Sequence, residues 1–225
     1  MPSYRYENKY VINKYIYESL RRDLSLVMKL DPHSISKDIS YNISSLYYDD
    51  IDDSAYIEKV DGVEYRKKYR IRIYNGDIDT CKLECKYKDE NMTYKQDCKL
   101  NKKNLEYLLK GEFNKIKFKD ELLSKFIIDS KLYKLKPSVI VDYARLAYIY
   151  PYSEVRITFD SLIKSGKYDD FINRDIVRVD CLESDQIVLE VKYNEMLPEH
   201  IQTILNQYNL TLGSLSKFAL CEEFK

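Results

Sequence analysis

The sequence predicts an α+β fold of eight or nine antiparallel strands, mostly in hairpins, with helices inserted at three places. Three observations carry this. First, apolar and charged residues alternate at a period of two, most clearly in Tyr65-Arg66-Lys67-Lys68-Tyr69-Arg70-Ile71-Arg72-Ile73-Tyr74. As a strand, that run sends Arg66, Lys68, Arg70 and Arg72 to one face and Tyr65, Tyr69, Ile71 and Ile73 to the other. Second, three other stretches repeat their apolar residues at three and four. Third, there are 23 tyrosines and no tryptophan, and many of the tyrosines sit in β-branched runs of strand character.

In chain order, residues 4–12 form the first strand, with Arg5, Glu7 and Lys9 on one face. Asn13 caps a helix carrying Ile16, Leu20, Leu24, Val27 and Met28, and Asp31-Pro32 ends it. Residues 41–48 are the second strand. The acidic run Asp49–Asp53 lacks the ligand spacing, central glycine and final glutamate of an EF-hand, so it reads as a solvated turn. The basic strand follows Asp61-Gly62 and ends at Asn75-Gly76, a hairpin signal placed in a longer loop. Residues 80–88 return with Lys82, Glu84, Lys86 and Lys88 opposite Cys81, Leu83, Cys85 and Tyr87. Residues 93–100 add Lys95, Asp97 and Lys99.

Asn101 caps a short helix that ends at Gly111, and residues 120–133 form another with Leu122, Leu123, Phe126, Ile127 and Leu132, closed by Lys136-Pro137. Residues 138–150 place Val139, Val141, Tyr143 and Arg145 on one face. Residues 154–160, 175–181 and 186–193 are further strands, the last with Val188, Glu190 and Lys192 together. A final helical region runs from Pro198 to Leu220. Strands of the same character resume after the middle helices, so residues 1–225 form a single domain.

Lys plus Arg and Asp plus Glu number 37 each, so there is no general basic excess of the kind that coats nucleic acid. The charge is segregated instead, which points to a focused site. Five cysteines, with Cys81 and Cys85 on one strand face, read as buried thiols of a reducing cytosol. The N-terminus has no apolar core of a leader, and no apolar run approaches the ~18 residues of a membrane span. The expectation is a soluble, cytoplasmic protein. His33 and His200 fall outside the strands, where a surface role is expected.

Nearly every strand has one charged and one apolar face, and two arrangements satisfy that. A sandwich turns the apolar faces inward. Alternatively, the apolar faces look outward to the helices, and the charged faces line a closed antiparallel β-barrel tunnel of about eight strands. The inserted helices and the single carboxylates at strand centres, Glu7, Glu84 and Glu190, favour the second. A bore lined by cations suits a polyphosphate.

Arg5-x-Glu7-x-Lys9-Tyr10, Ser45-Leu-Tyr-Tyr-Asp49, Lys68-x-Arg70-Ile-Arg72-x-Tyr74, Leu83-Glu84-x-Lys86, Tyr143-x-Arg145-x-Ala147-Tyr, Val155-Arg-Ile-Thr-Phe-Asp160, Leu189-Glu-Val-Lys192 and Ser216-Lys217-Phe218 occur in that order. Together they resemble the VTC domain, the catalytic domain of vacuolar transporter chaperone polyphosphate polymerases in the triphosphate tunnel metalloenzyme superfamily. The resemblance implies an antiparallel tunnel barrel with helices on the outside. It also implies transfer of the ATP γ-phosphate to an inorganic polyphosphate chain with Mn²⁺ or Mg²⁺. A tripolyphosphatase and a non-catalytic polyphosphate-binding module are the alternatives.

Carried over by motif, Lys9, Arg70, Arg72, Lys86, Arg145, Arg156 and Lys217 are the catalytic phosphate-holding set. Lys59, Lys68, Lys95, Tyr143 and Lys192 would bind substrate, and Glu190, with Glu7 or Glu84, would hold the metal. Position 5 is Arg where the superfamily often has a second Glu, which leans towards the polymerase branch. Relief of self-repulsion predicts that Arg70→Ala with Arg72→Ala leaves stability unchanged or raised in phosphate-free buffer.

Overall fold

The computed structural model describes residues 4–34, 40–90, 92–117, 120–168, 171–172 and 177–225. The strands are β1 (Tyr6–Asn13), β2 (Lys29–Leu30), β3 (Tyr41–Asp49), β4 (Arg66–Tyr74), β5 (Asp77–Asp89), β6 (Met92–Lys99), β7 (Lys136–Ile149), β8 (Arg156–Lys167), β9 (Val179–Asp180), β10 (Gln186–Tyr193) and β11 (Leu212–Gly213). The helices are α1 (Lys14–Leu24), α2 (Ser54–Val60), α3 (Lys102–Leu109), α4 (Glu121–Leu132), α5 (Glu199–Asn206) and α6 (Lys217–Glu222). The class is α+β, as the periodicity predicts.

One sheet runs in the order β11-β1-β10-β8-β7-β3-β4-β5-β6, with β2 on β7 and β9 on β8. Its pairings are antiparallel. The sheet is not closed by continuous pairing. Between β1 and β6 there is a single bridge, in which the Arg5 and Thr93 amides donate to each other's carbonyls at 3.1 and 3.0 Å.

The outward faces are apolar and carry helices. Tyr69, Ile71, Leu83 and Cys85 pack with Leu105 and Leu108 of α3 and Leu122, Leu123, Phe126 and Ile127 of α4. Phe126 makes edge-to-face contacts with Tyr48 and Tyr69, ring centres 4.9 and 5.1 Å away. On the other half, Ile157, Phe159, Leu189 and Val191 meet Leu20 and Leu24 of α1 and Ile201 and Leu205 of α5. Asn13, Asn101 and Asp120 accept the first free amides of α1, α3 and α4, which leaves fewer orphan donors at those helix starts.

Not all helices lie outside. α6 packs on the inner face, where Phe218 and Cys221 meet Val139, Val141, Ile163 and Val188. These apolar residues share strand faces with Tyr143, Arg145, Glu190 and Lys192. Part of the inner face is therefore apolar and covered by α6, and the rest is charged.

Several boundaries differ from the sequence expectations. α1 ends at Leu24 rather than at Asp31-Pro32, because β2 claims residues 29–30. The β4–β5 loop is the two-residue Asn75-Gly76, with φ 49° and 65°, as a type I′ hairpin requires. Asp49 is not a solvated turn residue. It is buried and accepts the amides of Asp50, Ala55 and Tyr56, organising the start of the unexpected α2.

Lys136 and Pro137 open β7 rather than close a helix, at a register irregularity against β3 where a missing amide is tolerated. β8 continues to Lys167 through a bulge at Leu162, whose φ is 54°. Of the strand expected at 175–181, Asp175 and Ile176 lie outside the described residues, and β9 occupies two others. The last region is α5, β11 and α6 rather than one helical stretch, with Pro198 at the cap of α5.

Candidate functional site

Alternation along β4, β5, β6, β7, β10 and β1 delivers one charged face to a common interior, a cavity of about 880 Å³. Every residue expected at the site except Glu84 lines it: Glu7, Lys9, Lys59, Lys68, Arg70, Arg72, Lys86, Lys95, Tyr143, Arg145, Arg156, Glu190, Lys192 and Lys217. Glu84 lies beneath that lining and is 0% exposed. One of its oxygens takes Lys95 at 2.7 Å and the other takes Arg70 Nε at 2.7 Å, with Arg72 at 3.6 Å. Its geometry suits anchoring cations more than meeting a ligand.

A second centre forms where β7, β8, β10 and α6 converge. Asp160, also 0% exposed, accepts both Nε and Nη2 of Arg145 at 2.6 and 2.7 Å and Lys217 at 2.6 Å. Bidentate geometry of this kind fixes the guanidinium plane. Lys217 also reaches Glu190, which accepts Lys192 at 2.6 Å on its other oxygen. Glu7 takes Lys86, and its other oxygen lies 3.8 Å from Lys9 and 3.9 Å from Lys192. Neutral acceptors complete the frame: Arg72 donates to Ser45 and Tyr143, and Arg70 to Tyr47.

Burial by itself pushes the carboxyls of Glu7, Glu84 and Glu190 up, but the surrounding cations outweigh it and hold them well below the usual range. Burial pushes Lys217 down, and Asp160 and Glu190 reverse this, keeping it charged. Lys192 is different: burial wins over Glu190 and Glu7, lowering it to about 7. Lys68 falls furthest, to about 6, through burial and the nearby cations Arg66, Lys59, Lys9 and Lys86. Lys59 is lowered for the same reasons. Among the described residues neither Lys59 nor Lys68 has a carboxylate within salt-bridge distance, so this end of the cavity, beside α2 and α6, gains from an anion that lets both lysines charge.

Among the described residues no group of three or more His, Cys, Asp or Glu is placed to hold a metal. Glu7 and Glu190 nevertheless both face the cavity with Lys9 and Lys192 between them. Both carboxylates are already engaged by ammonium groups, so a divalent cation taking them together with phosphate oxygens would have to displace those lysines.

Sequence reasoning assigned no role to Asp160, Asp31 or Tyr47. Asp160 was legible: it shares a strand face with Arg156 and stands in register with Arg145. Asp31 was read only as a helix stop, yet it holds Arg156 at 2.7 Å. His33, expected at the surface, is exposed but lines one mouth of the cavity.

The VTC domain matches residues 4–223. No curated protein matches the sequence. Solved structures with the same fold include a proposed adenylate cyclase from Vibrio parahaemolyticus, 10% identical, covering 98% of each chain with a TM-score of 0.55. A proposed adenylate cyclase from Bacillus halodurans is 14% identical over 91% of this chain and 88% of its own, with a TM-score of 0.51. At these identities the likeness shows the fold alone. The family assignment rests on the match along almost the whole sequence: this chain belongs to the VTC domain family.

Proposed function

We propose that this protein is a metal-dependent phosphotransferase that moves the γ-phosphate of ATP onto the end of an inorganic polyphosphate chain inside a tunnel-like cavity. The observation that carries this is the pairing of a VTC domain with a cation-lined cavity whose arginines are held in fixed planes by buried carboxylates. Phosphoryl transfer asks chiefly for positioning and for cancelling charge on non-bridging oxygens. Arg70, Arg72 and Arg145 are preset for this because Glu84, Ser45 and Asp160 already fix their orientation.

Lys9, Lys86 and Lys217 add point charges, and Arg156 stands at the mouth. Lys59, Lys68, Lys95 and Lys192 would follow the polyphosphate, with Tyr143 donating to a phosphate oxygen. A terminal phosphate is already an anion at neutral pH, so no general base is required. Glu190 and Glu7 would hold Mn²⁺ or Mg²⁺, which supplies charge neutralisation at the phosphate oxygens when bound.

The barrel reading is supported by the near approach of β1 and β6, and the cavity walls are the charged faces of both halves of the sheet. A tripolyphosphatase would use the same residues with water as acceptor. Incubation with ATP and Mn²⁺, followed by electrophoresis of the products, separates the two. Long chains are the expected result, and orthophosphate alone would refute the transferase reading.

A further inference from the structure

One mouth of the cavity differs chemically from the rest. His33, Tyr41 and Tyr74 line it, with ring centres 6.1 to 6.4 Å apart, and the planes of His33 and Tyr74 are 16° from parallel. The tip of the β4–β5 hairpin adds Asp77 and Asp79 to the same rim. Deeper in, cations dominate. A bare polyphosphate gains nothing from aromatic faces and is repelled by carboxylates, whereas a neutral heterocycle stacks on such faces.

The cluster is built rather than incidental. Asp31 is 3% exposed. One of its oxygens accepts the His33 amide at 2.9 Å, and the other holds Arg156 at 2.7 Å. Arg156 in turn donates to the Tyr41 hydroxyl at 3.0 Å. A single buried carboxylate thus ties the backbone at His33 and the Arg156 guanidinium to one point. Tyr74 lies two residues beyond Arg72 on β4, and Tyr41 stands level with Arg145 across β3 and β7. On β4 the aromatic ring therefore precedes the arginines.

We propose that His33 and Tyr74, backed by the buried Tyr41, form a stacking platform for the nucleobase of a nucleoside triphosphate, with Arg156 receiving the phosphate adjoining the sugar. This rests on the triphosphate reading of the cavity and deepens it. It sets the polarity of the site: the donor enters base-last at the aromatic mouth and points its terminal phosphate toward Arg70, Lys217 and the uncompensated cations beyond.

The test compares binding of 1,N6-ethenoadenosine triphosphate, ATP and inorganic tripolyphosphate to the wild-type chain and to His33→Leu/Tyr74→Leu. Both replacements keep bulk and remove aromatic faces, and Tyr41 is left to support Arg156. The expected result is quenching of etheno fluorescence in the wild type that the variant abolishes. Alongside it, the variant should lose roughly tenfold affinity for ATP, with tripolyphosphate binding unchanged. If the wild type binds tripolyphosphate as tightly as ATP, or the variant weakens both alike, the platform is refuted while the triphosphate site stands. If the wild type binds neither, the triphosphate reading falls and takes the platform with it.

Discussion

Asp160 shows how much of the site hangs on single buried side chains. It faces two cations, Arg145 and Lys217, and is closed off from solvent. Asp160→Asn should lower stability by about 3–5 kcal/mol, the usual cost of breaking a buried pair. Added tripolyphosphate should restore part of it by neutralising the stranded cations. Urea titrations with and without the anion measure this, and a variant as stable as wild type would count against it. The same reasoning reverses the sequence-based expectation for Arg70→Ala/Arg72→Ala. Both arginines satisfy Glu84, so removing them leaves that buried carboxylate with Lys95 alone. Stability should fall by several kcal/mol rather than hold or rise. From sequence, the four basic residues of the β4 stripe were visible but the carboxylate under them was read as a ligand, because alternation gives a face and not a depth.

Lys68 makes a pH prediction with a definite sign. Its folded value is about 6, whereas an unfolded lysine titrates near ~10.4. Between those values the unfolded chain holds the extra proton. Lys68 therefore makes stability rise with pH across that window and contributes no slope below it. At pH 7.5 the free protein should take up a proton as tripolyphosphate binds, because the anion favours the ammonium form. Calorimetry in buffers of different ionisation enthalpy reads the uptake, and Lys68→Met should reduce it to the share contributed by Lys192, which is lowered to about 7. Equal heats in all buffers would show that Lys68 is already charged.

At the scale of elements, strands with a clean period of two were legible nearly to the residue, as β10 shows: its expected and observed limits coincide at 186–193. Boundaries failed where tertiary pairing intervened. Residues 29–30 were drawn into β2 by β7, and the bulge at Leu162 extended β8 past the point where alternation breaks. The inward position of α6 had a sequence signal that went unused: Val139, Val141 and Val188 share faces with charged residues, and such mixed faces need an apolar partner. On the outer side, α4 seals β3, β4 and β5 through Phe126. Phe126→Ala should cost about 3–5 kcal/mol in urea unfolding while leaving triphosphate affinity per folded molecule unchanged. Lost affinity in the folded fraction would mean that the two faces of the sheet are coupled.

For the molecule as a whole, charge segregation in a chain of balanced composition was the most informative sequence feature, since it located the cavity face before any strand was placed. Its depth and its aromatic mouth were not legible, because they depend on how β2 and the β4–β5 tip converge. Saturating anion should stabilise the entire fold. At a hundred times Kd, binding adds about 2.7 kcal/mol, or roughly 5–10 °C in Tm for a chain of this size. Thermal melts across a tripolyphosphate series test this, and a flat series would indicate no folded-state binding.

The seam between β1 and β6 carries a last consequence. Two amides, those of Arg5 and Thr93, supply the backbone bonds across it, beside the Glu7–Lys86 ion pair and the Tyr4–Tyr94 ring contact, whereas neighbouring strands are laced along most of their length. Unzipping them requires little cooperative disruption, so these two protons should exchange with deuterium well ahead of those in β7 and β10. The wall is therefore expected to part first along this line, ahead of every fully paired neighbour in the sheet.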